Sequence, residues 1–132
     1  MRHGEVLLPV VVMTCPSEVA AVLSSEPVLP PLDGSVWPMV TGLIDFHETN
    51  NPERPWAFLA SDRDASIYSV TYREFARATH RVAHALRPGR LGPENEVVGL
   101  LIECDSVLYV ALLAGMIRAG LIVSTASVHN AS

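Results

Sequence analysis

The chain has 132 residues, 49% of them hydrophobic and 17% charged, too apolar for a disordered polymer and sized for one domain or one piece of a larger one. Nine basic side chains, all arginine, stand against fourteen acidic ones for a formal charge of −5, which excludes a nucleic-acid binder working by bulk charge. Neither lysine nor glutamine occurs, so a Schiff-base amine, a P-loop ammonium and a lysine general base are excluded for this chain alone.

Two cysteines far apart, Cys15 and Cys104, match neither a disulfide-rich secreted domain nor a zinc site, and are expected as free thiols in a reducing, cytoplasmic setting. The apolar run over 6–13 imitates a secretory signal, but Pro9 interrupts it and Glu5 stands where a basic region belongs. The apolar stretch over 97–125 is broken by Glu103, Asp105 and Arg118, whereas a spanning helix needs about 20 uncharged residues. No membrane partner is expected.

Residues 1–35 are cut by Pro9, Pro16, Pro27, Pro30 and Pro31 and read as a poorly ordered leader with a short helix over 18–23. Residues 36–132 read as the folded part. Val40, Leu43, Ile44 and His47 recur at helical spacing, and the helix should stop at Asn50-Asn51-Pro52. Two runs rich in aromatic and β-branched residues, 56–60 and 67–71, flank a polar linker and predict a hairpin.

Thr71-Tyr72-Arg73-Glu74 has capping-box spacing, followed by an apolar stripe through Tyr72, Phe75, Ala76, Thr79, Val82, Ala83 and Leu86 up to Pro88-Gly89. Residues 97–102 form an unalternating apolar run, expected as a strand covered on both faces. Asp105 or Ser106 should cap a helix that runs to about Ala119 and stops at Gly120, and Leu121-Ile122-Val123 should begin another strand. That order is a βαβ unit with a right-handed crossover, and the fold class is α/β. Its helix is apolar nearly all round, and nothing predicted in the chain covers its second side.

The order helix, hairpin, capped helix, buried strand, apolar helix and strand resembles the N-terminal part of the acyl-adenylating superfamily of AMP-dependent synthetases and ligases. Thr71-Tyr72-Arg73-Glu74-Phe75, His80 to Leu86, Leu91 to Val98 and Leu108 to Gly120 carry the resemblance. Pro30-Pro31-Leu32-Asp33-Gly34-Ser35, Asp45-Phe46-His47 and Asn51-Pro52 are similar to the start of its fungal synthetase-like branch, some members of which add carrier-protein and reductase domains. The resemblance implies an incomplete N-terminal subdomain. That branch continues into a Ser-Pro-Arg-Asn-Ser stretch, of which this chain keeps only Ser127 and Asn130. The ATP-wrapping loop, the adenine and ribose contacts and the C-terminal Lys would all follow it. The expected chain is therefore a fragment inactive on its own, with ATP and Mg belonging to the full-length enzyme. It has no catalytic, cofactor-binding or metal residues of its own. The alternative is a stand-alone interaction module pairing with a partner chain or itself through the uncovered apolar helix and sheet edge; a secreted small protein is the third reading.

Other constellations read as structural. Gly115 and Gly120 lie in and after a helix rather than in a phosphate loop, and serve close packing and capping. His80 and His84 share a helical i, i+4 spacing but lie beside Arg73 and Arg77, with no carboxylate placed to complete a metal site. The Arg73, Arg77, Arg81 stripe reads as plain surface, with docking to an absent domain as the alternative. Cys104 is flanked by Glu103 and Asp105, which disfavour a thiolate. The pairs Asp62/Asp64 and Glu94/Glu96 read as solvated turn residues, and the Asn130-Ala131-Ser132 sequon as unused.

Overall fold

Helix α1 (Val40–Asn50) opens at Met39 without a side-chain cap and ends where Asn51 leaves helical geometry (φ −134°) ahead of Pro52. In the computed structural model, which describes residues 21, 23–33, 39–61 and 66–125, it is the first full element of the folded body. Its predicted stripe turns Ile44 into the core and leaves Leu43 and His47 half-buried. Of the helix expected over 18–23, Ala21 and Leu23 are described and helical. Cys15, Asp62, Asp64, Ser127 and the terminal sequon lie outside the described residues.

Strands β1 (Pro55–Ala60) and β2 (Ile67–Thr71) form the expected antiparallel hairpin, with Phe58 opposite Ser69 and Ala60 opposite Ile67. The register slips between Pro55 and Ala57, where proline cannot donate to the ladder. The capping box at the start of α2 (Tyr72–Leu86) is fully formed. The Glu74 N–H donates to Thr71 Oγ1 at 3.2 Å, and the Thr71 N–H donates to Glu74 Oε2 at 2.8 Å. Phe75, Ala76 and Thr79 are buried along its stripe, while Leu86 at the far end is exposed. A 3₁₀ turn (Pro88–Arg90) follows, with Gly89 at φ +66°.

Strand β3 (Val97–Leu100), α3 (Ser106–Arg118) and β4 (Ile122–Thr125) make the expected βαβ unit, the two strands paired in parallel with Val98 beside Val123. Asp105, not Ser106, caps α3 by accepting the Leu108 N–H at 2.9 Å. Gly120 stops it at φ +77°, and the Leu121 N–H returns to the Met116 carbonyl. The strand over 97–102 is four residues long and covered on one face: Val98 and Leu100 are half-buried, but Val97 is 68% and Leu101 73% exposed. Continuous apolarity implies two-sided burial only where two layers are present, and the described chain supplies one helical layer. The final strand likewise begins at Ile122, with Leu121 buried ahead of it.

The core lies between α2 and α3. Ile44, Phe75, Ala76, Ala111 and Ala114 form one cluster, against which Trp56 and Val70 pack. Met116, Ala119 and Leu121 form the other, under Val98, Leu100 and Val123. Small residues along this seam let the two helix backbones approach closely. At Gly115, an added Cβ would overlap the Cβ of Val82 and lie 3.0 Å from the Thr79 carbonyl oxygen. The molecule is mixed α/β with two small sheets, a hairpin and a parallel pair. No helix among the described residues is long and apolar enough to cross a membrane.

Candidate functional site

Three places gather polar or accessible chemistry. The first is a polar junction of α1, α2 and α3. Arg118, near the end of α3, donates from Nη2 to Asp45 Oδ1 at 2.6 Å, from Nη1 to Asp45 Oδ2 at 3.2 Å, and from Nε to Thr79 Oγ1 at 3.2 Å. Thr79, fully buried in α2, donates its own hydroxyl proton to the Ala76 carbonyl. The guanidinium fork thus ties three helices through a carboxylate and a hydroxyl. Asp45, Glu48 and His80 place ligand atoms within 4.8 Å of one another, and His80 Nε2 is 3.8 Å from Asp45 Oδ1. This corrects the reading that no carboxylate approaches the histidine pair: α1 brings two to His80, while His84 is not in the cluster. Since Arg118 already neutralises Asp45, the junction is built as an ion-pair clasp. Arg73, from the neighbouring basic stripe, pairs with Glu53 at 2.6 Å, and Arg77 and Arg81 are exposed.

The second place is an apolar groove of about 260 Å³. Val40, Leu43, Ile44 and His47 of α1 form one wall; Trp56, Tyr72, Phe75 and Val110 form the rest. Trp56 stacks on Phe75 with ring centroids 3.8 Å apart and planes 6° from parallel, and His47 stacks on Tyr72 at 4.5 Å and 22°. The His47 imidazole is held below its ordinary pKa of 6.5 by desolvation.

The third place is the end of α2. Arg87, 7% exposed, sends Nη2 to Glu96 Oε2 at 2.9 Å and to the Pro93 carbonyl, while Nη1 reaches the Ala119 carbonyl at 3.4 Å. Glu94 and Glu96 are both exposed, as expected of turn residues; the pairing of Glu96 with Arg87 is what their spacing does not show. Sequence reasoning passed over Arg87. The available signal was a basic residue at a helix C terminus, where carbonyls lack intrahelical donors.

The turn after β3, Leu101 to Asp105, contains no glycine and carries two carboxylates. The α3 N terminus that would face a phosphate is filled by the Asp105 side chain. Cys104 is a free, half-buried thiol in the same turn. Gly115 and Gly120 serve packing and helix termination, as expected.

The hairpin running into a capped helix, followed by the βαβ unit, carries the sequence of an established class. The chain belongs to the adenylate-forming superfamily. It is 39% identical over 104 residues to the adenylate-forming reductase Nps11 of Serpula lacrymans var. lacrymans, covering 78% of this chain and 9% of that protein. It is 37% identical over 105 residues to Nps9 of the same fungus, covering 80% and 9%, and 34% identical over 101 residues to Nps10 of Heterobasidion annosum, covering 69% and 9%. The chain therefore spans about a tenth of the length of the curated relatives it matches. No family model matches it, and no solved structure matches it.

Proposed function

We propose that this chain is scaffold from the N-terminal subdomain of an acyl-adenylating reductase and carries out no adenylation by itself. The observation that carries the reading is the alignment of most of this chain to about 9% of three proteins named adenylate-forming reductases. The full enzyme of that class would join a carboxylic acid to the α-phosphate of ATP and pass the acyl group to a thiol, a task of positioning and charge stabilisation. ATP and Mg would be held by parts of such an enzyme outside the aligned tenth, and these 132 residues supply no lysine to the reacting phosphate. We place the protein in the cytoplasm on its sparse, widely separated cysteines.

A second reading, a stand-alone interaction module, is favoured by the open side of the βαβ unit. Val97, Leu101, Leu108 and Ile122 are all exposed there or nearby. Both readings predict a chain without adenylation chemistry, and a stable partner chain on purification would favour the module. Titration calorimetry with Mg-ATP and a pyrophosphate-exchange assay over a panel of carboxylic acids should both give no signal. Saturable binding in the micromolar range, or exchange above buffer, would overturn the scaffold reading.

A further inference from the structure

We propose that His47 and Asn51 form a pH-sensitive clamp that holds the segment around Val28 against the end of α1 and releases it when His47 takes up a proton. Asn51, 6% exposed, is the residue that ends α1. Its side-chain amide pairs with the Val28 backbone in both directions: the Val28 N–H donates to Asn51 Oδ1 at 2.9 Å, and Asn51 Nδ2 donates to the Val28 carbonyl at 2.8 Å. These two bonds fix which end of the amide is oxygen. The remaining Nδ2 hydrogen points to His47 Nδ1 at 2.9 Å. With the amide so oriented, Nδ1 must be the acceptor, and the imidazole is neutral with its proton on Nε2.

Protonation makes Nδ1 a donor facing a donor. If the amide flips to offer Oδ1 to the imidazolium, its NH2 then faces the Val28 N–H. Without the flip the His47 bond is lost and two donors stand 2.9 Å apart; with the flip both Val28 bonds are lost, since Oδ1 then also faces the Val28 carbonyl. A charged His47 and the complete three-bond clamp therefore exclude each other. Phe46, His47 and Asn51, which carry the resemblance to the fungal branch, are thereby given a physical role.

The surroundings favour the neutral ring. Tyr72 of α2 stacks on it, and Phe46 meets it edge-on. Trp56 of β1, Phe75 of α2 and Val110 of α3 line the same groove without charge. On its own helix, Asp45 is engaged by Arg118, and Glu48 lies with Asp45 and His80. Burial alone lowers the His47 pKa from 6.5. Because the folded value is the lower one, the unfolded or released state binds more protons as pH falls. The clamp is complete above about pH 6.5 and weakens from there down to the folded pKa. Arg54 makes a second tether to Ser25, so the segment keeps one anchor when the clamp opens.

The test follows the Val28 amide, the Asn51 side-chain NH2 and the His47 imidazole by NMR between about pH 5 and 8. In the unmodified chain all three should share one midpoint, below 6.5. In His47→Gln, whose amide oxygen can accept the same hydrogen bond without titrating, the Val28 resonance should hold its high-pH position throughout. In Asn51→Asp, which replaces the NH2 by an acceptor, the His47 midpoint should rise above 6.5. Val28 and Asn51 resonances that stay fixed while His47 titrates would overturn the clamp. So would a Val28 transition that persists in His47→Gln, or an unchanged midpoint in Asn51→Asp. If His47→Gln loses spectral dispersion, the shared or separate midpoints of the unmodified chain decide.

Discussion

Gly115→Ala is expected to destabilise the chain by about 2 kcal/mol or more, although alanine ordinarily favours a helix interior over glycine by about 1 kcal/mol. The new methyl would meet Val82 Cγ1 at 2.5 Å and the Thr79 carbonyl oxygen at 3.0 Å. Neither neighbour is the far end of a flexible side chain: Val82 is β-branched and stiff, and the Thr79 oxygen is helix backbone. Relief requires α2 and α3 to move apart, loosening the seam that holds Ala76, Ala111 and Ala114. Gly99→Ala is the control, because nothing lies within 4 Å of its added Cβ. In urea titrations the two variants should differ clearly. Equal stability would mean that the close approach of α2 and α3 does not hold in solution.

Arg87→Met is expected to cost about 3 kcal/mol. The guanidinium joins the end of α2, the loop at Pro93, the start of β3 through Glu96, and the end of α3 at Ala119. A methionine of similar length fills the space but leaves the carbonyl of buried Ala119, and that of Pro93, without this donor. Arg87→Lys should lose most of the same stability, since one ammonium cannot replace a fork that reaches three acceptors. Glu96→Gln should cost under about 1 kcal/mol, because that carboxylate is half exposed and water substitutes for its charge. A denaturation series that ranks Glu96→Gln with Arg87→Met would make the ion pair, not the carbonyl contacts, the source of the effect.

The legible parts of the fold were the local ones. Thr71 and Glu74 stand three residues apart and cap each other with no help from elsewhere, so spacing alone predicts the helix start. Asp105 and Gly120 mark the ends of α3 for the same reason. Arg118 and Asp45 are separated by 73 positions and meet because three helices converge, which no window of sequence reveals. Arg87 reads as an ordinary surface arginine until the loop at Pro93 folds over it. Asn51 reads as a helix breaker, which it is; that its amide also holds Val28 depends on a segment 23 residues upstream. The apolar run at 97–102 misled differently. Composition records that a strand is apolar, not how many layers are present to cover it. The same limit applies to α3: an all-round apolar helix gives no sign of which side is covered, and Met116 is buried while Leu108 is 45% exposed.

Exposed apolar surface is where the scaffold reading is most open to measurement. Leu108 and Ile117 on α3, Val97 on β3, Ile122 on β4 and Leu101 beyond β3 stand exposed, and among the described residues the two-stranded parallel sheet has no further strand at either edge. Size-exclusion chromatography with light scattering on the purified chain should give oligomers or aggregate as the main species. Leu108→Glu combined with Ile117→Glu should shift it toward monomer while its circular dichroism is retained. A sharp monomer peak for the unmodified chain, with cooperative unfolding, would contradict the account: the chain would then be a self-sufficient domain rather than scaffold awaiting the rest of an adenylating enzyme.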